Sequence, residues 1–162
     1  MMRIACVFLA LAVILALPSP AAAQKYDGAA VKAGQAAATF GGKALTFTYA
    51  EGGLQQVSGF TMATLVFKLD AKSKPDTHLN ITVVYQGPGK VDLDSAFSTS
   101  GLSMFAGGDV ARFTKRKSKC TITLTKASPT EVEGTADCPL LHNIDGEVMP
   151  ALTVQRFSAT AR

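Results

Sequence analysis

The chain has 162 residues, a formal net charge of +4 and 48% hydrophobic residues. This length suits one domain with a hydrophobic core and excludes an array of several domains. Two histidines are too few for a His-rich metal site, and no nucleic-acid reader motif accompanies the basic residues.

Residues 1–23 have the pattern of a secretory signal peptide. Arg3 supplies a positive start, residues 4–17 are all apolar, and three alanines ending at Ala23 form a cleavage site. The apolar run is shorter than the about 20 residues that a membrane-spanning helix needs. We therefore expect cleavage near Ala23 and an exported protein, periplasmic or extracellular, without a transmembrane segment; a retained N-terminal anchor is the alternative. Because Cys6 lies near the start of the run and not just after it, we expect no lipid anchor.

Residues 24–38 are rich in alanine and glycine and have no aliphatic stripe. The pattern predicts a loosely ordered segment or a short helix before the main domain. The domain itself is expected to span residues 39–162.

From Thr39 onward, apolar and polar residues alternate with the period of a β-strand. Gly41 and Gly42 predict a tight turn between two short runs, and the apolar run 60–69 predicts a strand covered on both faces. Further strand-like runs cover residues 79–87, 90–97, 119–138 and 151–161, with a long connection containing a short strand at 98–111. About seven or eight short strands predict an all-β single domain, an antiparallel β-sandwich or small barrel.

The segment "KCTITLTKASPTEVEGTADCP", residues 119–139, predicts a hairpin with its turn at Pro129. In that register Cys120 faces Cys138, and Lys126 faces Val132. One face then carries Cys120, Ile122, Leu124, Val132, Ala136 and Cys138, and the other carries only polar residues. A shift of one residue would mix the two faces, so the pattern selects this register.

The hairpin brings the two cysteines together, and an oxidising compartment favours a disulfide between them. A redox pair would show a Cys-x-x-Cys motif, and a zinc site would need two further ligands. Free or rearranged thiols are the remaining alternative. We expect one structural disulfide, Cys120–Cys138.

A basic run precedes this hairpin and contains Arg112, Lys115, Arg116, Lys117 and Lys119. One interpretation is a site for an anionic polysaccharide or an anionic lipid headgroup. The other is a solvated turn whose lysines protect an edge strand from pairing with other molecules.

The loop at residues 139–150 collects His142, Asn143, Asp145 and Glu147 between two prolines. Their oxygen and nitrogen atoms would suit a metal ion or a catalytic pair, although Asx and glycine residues are also typical of ordinary turns. No nucleophile elbow of the Gly-x-Ser-x-Gly type occurs.

These patterns predict an exported, non-enzymatic protein without a cofactor that binds an anionic envelope or extracellular ligand. One alternative is a structural module that docks onto an envelope protein through its sheet edges. Another is a weak metal-binding or enzymatic protein that uses the 139–150 loop. A nucleic-acid partner is not expected.

Overall fold

The computed structural model describes residues 28–73, 76–94 and 99–161, and these residues form twelve strands and no helix. The strands are β1 (Gly28–Phe40), β2 (Lys43–Phe47), β3 (Tyr49–Val57), β4 (Phe60–Lys68), β5 (Thr77–Tyr85), β6 (Gly89–Val91), β7 (Gly101–Ala106), β8 (Asp109–Arg112), β9 (Lys119–Ala127), β10 (Glu131–His142), β11 (Val148–Met149) and β12 (Leu152–Ala161). These residues therefore contain no helix that is long and apolar enough to cross a membrane. The predicted all-β class is confirmed.

Eight of the strands form a closed antiparallel ring. Their order is β12-β1-β3-β4-β5-β7-β8-β10, and β10 pairs with β12 to complete the circuit. Each ring strand therefore has a partner on either side, which leaves few free sheet edges. The result is a sandwich-like or barrel-like antiparallel fold, as the alternation predicts.

The number of strands exceeds the predicted seven or eight because long strands are interrupted. β2 and β3 both pair with β1, β8 and β9 both pair with β10, and β11 and β12 also both pair with β10. In addition, the expected connection at 98–111 contains the two strands β7 and β8. Finally, β11 and most of β1 lie in the segments 139–150 and 24–38, for which the pattern predicts no strand.

Strand alternation fills the interior with large side chains. In β4, Leu65 and Phe67 are fully buried, whereas Met62 and Val66 on the outer side are half-buried. The expectation that this strand is covered on both faces is therefore wrong, because no second layer packs on its outer face in the described residues. Phe67 meets Phe157 of β12 edge to face, with ring centroids 6.2 Å apart. This contact joins opposite sides of the ring through the core.

The β9–β10 hairpin has the predicted pairing in its central part. Ile122 pairs with Ala136 and Leu124 with Gly134, and the Cys120–Cys138 disulfide is present. Nearer the turn, a bulge shifts the pairing by one residue.

The predicted pairing of Lys126 with Val132 is therefore wrong. Lys126 pairs with Glu133 instead, because the bulge adds one residue to the β9 side. The two oppositely charged side chains then lie on the same face, where they form a salt bridge of 3.3 Å.

The prediction for residues 24–38 is wrong over residues 28–38, which belong to strand β1. Alanine and glycine gave this segment no aliphatic stripe, but its small residues suit a tightly packed position. At Gly34, an added Cβ would lie 2.6 Å from the Cβ of Ala50. Pairing with β12 on one edge and with β2 and β3 on the other overrides the weak local preference. Residues 24–27 and the expected signal peptide at 1–23 lie outside the described residues.

Gly52 provides a test of the packing between β3 and β4. Its φ is +127°, and an added Cβ would collide with the carbonyl oxygen of Thr64. We expect Gly52→Ala to lower the free energy of unfolding by about 2 kcal/mol or more, measured by urea denaturation. Gly53→Ala is the matched control, because its Cβ would meet the Ala29 carbonyl oxygen at 3.4 Å, an ordinary contact. Equal effects of the two substitutions would contradict this geometry.

The Cys120–Cys138 disulfide provides a second test, since it closes a loop between residues 18 apart in sequence. We expect the double variant Cys120→Ala/Cys138→Ala to lose about 3 kcal/mol of unfolding free energy, because the reduced unfolded chain is less constrained. Reduced wild-type protein keeps both side chains and should show a similar loss in urea denaturation. An unchanged midpoint in both samples would show that the disulfide does not stabilise the fold.

Candidate anion-binding site

The predicted basic residues lie together on the connection between β8 and β9. Residues 112–119 are called the basic turn here. Arg112 ends β8, Lys119 begins β9, and Lys115, Arg116 and Lys117 lie in the turn between them. The side chains of all five are exposed. The structure therefore brings together every residue of the predicted anion-binding set.

Backbone hydrogen bonds hold the basic turn in a defined shape. The N–H of Ser118 donates to the carbonyl oxygen of Thr114 at 2.8 Å, and the N–H of Lys117 donates to the same oxygen at 3.1 Å. Arg116 has a φ of +63°, and its N–H donates to Oδ1 of Asp94 at 3.3 Å. These bonds use backbone N–H groups, so the shape of the turn does not depend on the charged ends of its side chains.

The basic turn is anchored to the body of the protein at both ends. At its start, the N–H of Phe113 donates to the carbonyl oxygen of Leu102 at 2.8 Å, and the Phe113 ring packs against the core. At its end, Ser118 Oγ accepts a hydrogen bond from the Thr114 N–H at 2.9 Å and lies 3.1 Å from Nδ1 of His142. Ser118 and His142 are 6% and 9% exposed. This buried polar pair fixes the turn to β10.

Four cations of the basic turn differ in their surroundings from Lys126 of the β9–β10 hairpin. Nζ of Lys126 lies 3.3 Å from a carboxylate oxygen of Glu131 and 3.3 Å from one of Glu133. Hydrogen bonds to these two groups raise the pKa of Lys126, and the bond to Glu131 has the larger effect. Within the described ranges, no salt bridge involves Arg112, Arg116, Lys117 or Lys119. These four exposed cations of the basic turn therefore lie outside the salt bridges found among the described residues.

The candidate residues of the 139–150 loop do not meet at one point. His142 belongs to β10 and faces Ser118. Oδ1 of Asn143 accepts hydrogen bonds from the N–H groups of Asp145 and Glu147 at 3.0 and 2.9 Å, and its Nδ2 donates to Glu147 Oε2 at 2.7 Å. The side chains of Asn143 and Glu147 thus close the turn between β10 and β11. In the ranges that the structure describes, no three His, Cys, Asp or Glu side chains form a metal-binding group.

The sheet edges available for docking are short. Among the residues that the structure describes, β2 pairs only with β1, and β6 pairs only with β9. Each carries an exposed lysine, Lys43 or Lys90. Lysine on a short edge strand opposes pairing with another chain.

The Ser118–His142 contact could not be predicted from the sequence. The two residues are 24 positions apart, and no local pattern connects them. Asp94, whose carboxylate accepts the hydrogen bond from the Arg116 N–H, lies 22 residues before Arg116 on a different connection. The only local signal in the sequence for this site is the concentration of basic residues around Ser118.

Comparison with known proteins supplies no relative for this chain. No family model, no curated protein and no solved structure matches it. Functional inference therefore depends on the geometry and charge of the basic turn.

Ser118→Ala tests whether the buried pair holds the basic turn in place. The substitution removes the acceptor of the Thr114 N–H and leaves His142 Nδ1 without this partner, so we expect a loss of about 1–3 kcal/mol of unfolding free energy. Amide hydrogen exchange at Thr114 should also accelerate. Thr125→Ala, at an exposed position of β9, is the control. If Ser118→Ala behaves like this control in both measurements, the proposed anchoring is wrong.

Proposed function

We propose that the protein is an exported, non-enzymatic binding protein whose basic turn binds ligands with repeated phosphate or sulfate groups. The observation that carries this proposal is the grouping of five exposed cations on one turn held by backbone hydrogen bonds. Repeated anionic groups match this arrangement because several cations can be neutralised at once. Release of counterions then adds to the direct attraction.

The rigidity of the turn supports binding as well as charge does. A flexible lysine-rich loop would lose conformational freedom when it closed on a ligand, whereas this backbone is already ordered. Arg112 and Arg116 can each donate two parallel hydrogen bonds to a phosphate or sulfate group, and the lysines add point charges. The preformed turn lowers the cost of binding without reducing its charge.

The buried Ser118–His142 pair favours a structural role over catalysis. A catalytic serine must reach its substrate, but Ser118 is 6% exposed and its Oγ accepts the Thr114 N–H. The pair therefore supports a binding protein and not a hydrolase. The disulfide supports export, because such bonds persist in oxidising compartments.

Charge reversal on the basic turn tests the proposal. We expect Arg116→Glu/Lys117→Glu to weaken heparin binding about tenfold or more and to reduce its dependence on salt concentration, because two anion contacts become repulsive. Heparin affinity would be measured by titration at several salt concentrations. Docking through sheet edges should, by contrast, respond little to salt.

The matched control is Lys32→Glu/Arg156→Glu, which changes the net charge equally at exposed positions on β1 and β12. This control should bind heparin nearly as the wild type does. If the two double variants lose the same affinity, binding depends on net charge and not on the basic turn. Wild-type protein without measurable heparin binding would also reject the proposal.

A further inference from the structure

Four apolar side chains border the basic turn and are called the apolar corner here: Phe105, Val110, Ile144 and Val148. Ile144 is 75% exposed and Val148 is 69% exposed, whereas the exposed hydrophobic residues Val57 and Phe60 are only 47% and 44% exposed. Phe105, Val110 and Ile144 line a cleft of about 430 Å³ together with Arg112. The cleft thus combines apolar side chains with a cation from the basic turn, and Asp109, Asn143 and Asp145 also line it.

Strand pairing places the apolar corner and the basic turn side by side. Arg112 of β8 pairs with His142 of β10, and His142 pairs with Val148 of β11. Paired residues share a face of the sheet, and neighbouring strands lie about 4.8 Å apart. Arg112 and Val148 therefore flank His142 at a separation of about 10 Å on one face. An exposed cation and an exposed apolar side chain thus lie two strands apart on the same face of the sheet.

The exposure of Ile144 follows from the turn that carries it. Asn143 and Glu147 close this turn by backbone and side-chain hydrogen bonds on either side of Ile144. The isoleucine is thereby held at the tip, away from the core. Isolated exposed hydrophobic residues are common, but here two lie beside the exposed cations of the basic turn.

We propose that the apolar corner and the basic turn together bind the surface of an anionic lipid bilayer. This inference rests on the proposed function, because the lipid phosphates would occupy the same basic turn. Ile144 and Val148 enter the boundary between headgroups and acyl chains, while the arginines and lysines contact the phosphates. A soluble polyanion would use the cations alone, whereas a bilayer uses both halves of this surface.

Carboxylates at the same corner limit the attraction to an anionic surface. Asp109 and Asp145 line the cleft, and Glu147, in the same turn as Asp145, accepts a hydrogen bond from Asn143 through its carboxylate. Asp145 is exposed at the tip of the turn next to Ile144. Its neutralisation should therefore strengthen binding to the bilayer.

Co-sedimentation with vesicles tests this inference on the disulfide-bonded protein. We expect binding to vesicles of phosphatidylcholine mixed with phosphatidylglycerol and little binding to phosphatidylcholine alone. Ile144→Ser/Val148→Ser should weaken vesicle binding about tenfold or more and leave heparin affinity unchanged, because it removes apolar contact area and no charge. Asp145→Asn should strengthen vesicle binding.

The apolar control is Val57→Ser/Phe60→Ser, which removes two exposed hydrophobic side chains at the β3–β4 turn. This control should bind vesicles as the wild type does, and urea denaturation would verify that every variant is folded. If Ile144→Ser/Val148→Ser binds vesicles as tightly as the wild type, the apolar corner takes no part and the inference is wrong. Heparin binding without vesicle binding would overturn the bilayer inference and leave the proposed function intact. Failure to bind either probe would reject both.

Discussion

Strand β10 is paired along both of its edges, and the remaining architecture depends on this pairing. One edge pairs with β9 and β8, and the other pairs with β12 and β11. The contacts with β8 and β12 close the eight-stranded ring. β10 also carries Cys138 of the disulfide and His142 beneath the basic turn. A single strand thus joins the ring, the disulfide and the candidate site.

The closed ring has a filled interior, so a ligand must bind on its surface. Its interior is occupied by packed side chains such as Phe47, Phe67 and Phe157, all fully buried. β8 and β9 both pair with β10, and the basic turn is the connection between these two strands. This insertion projects from the ring without breaking it. Charge and apolar surface can therefore be presented on a rigid support.

The sequence contains enough information for the fold class, the disulfide and the composition of the basic turn. The register of the central part of the hairpin was predictable because alternation on both strands and two cysteines at matching distances from Pro129 agree, whereas the bulge near the turn was not. β1 was not predictable, because alanine and glycine carry little periodic signal and the strand is stabilised by distant partners. The apolar corner was hidden for the same reason, since Ile144 approaches Arg112 only when β8 pairs with β10.

The most direct test of this account is nuclear Overhauser spectroscopy of the two edges of β10. The account predicts cross-strand contacts between Asp137 and Thr153 on one edge and between His142 and Arg112 on the other. Both sets should appear together with the contacts of the β9–β10 hairpin. A spectrum that shows the hairpin contacts but lacks those to β12 or β8 would mean that the ring is open, and it would contradict the placement of the basic turn.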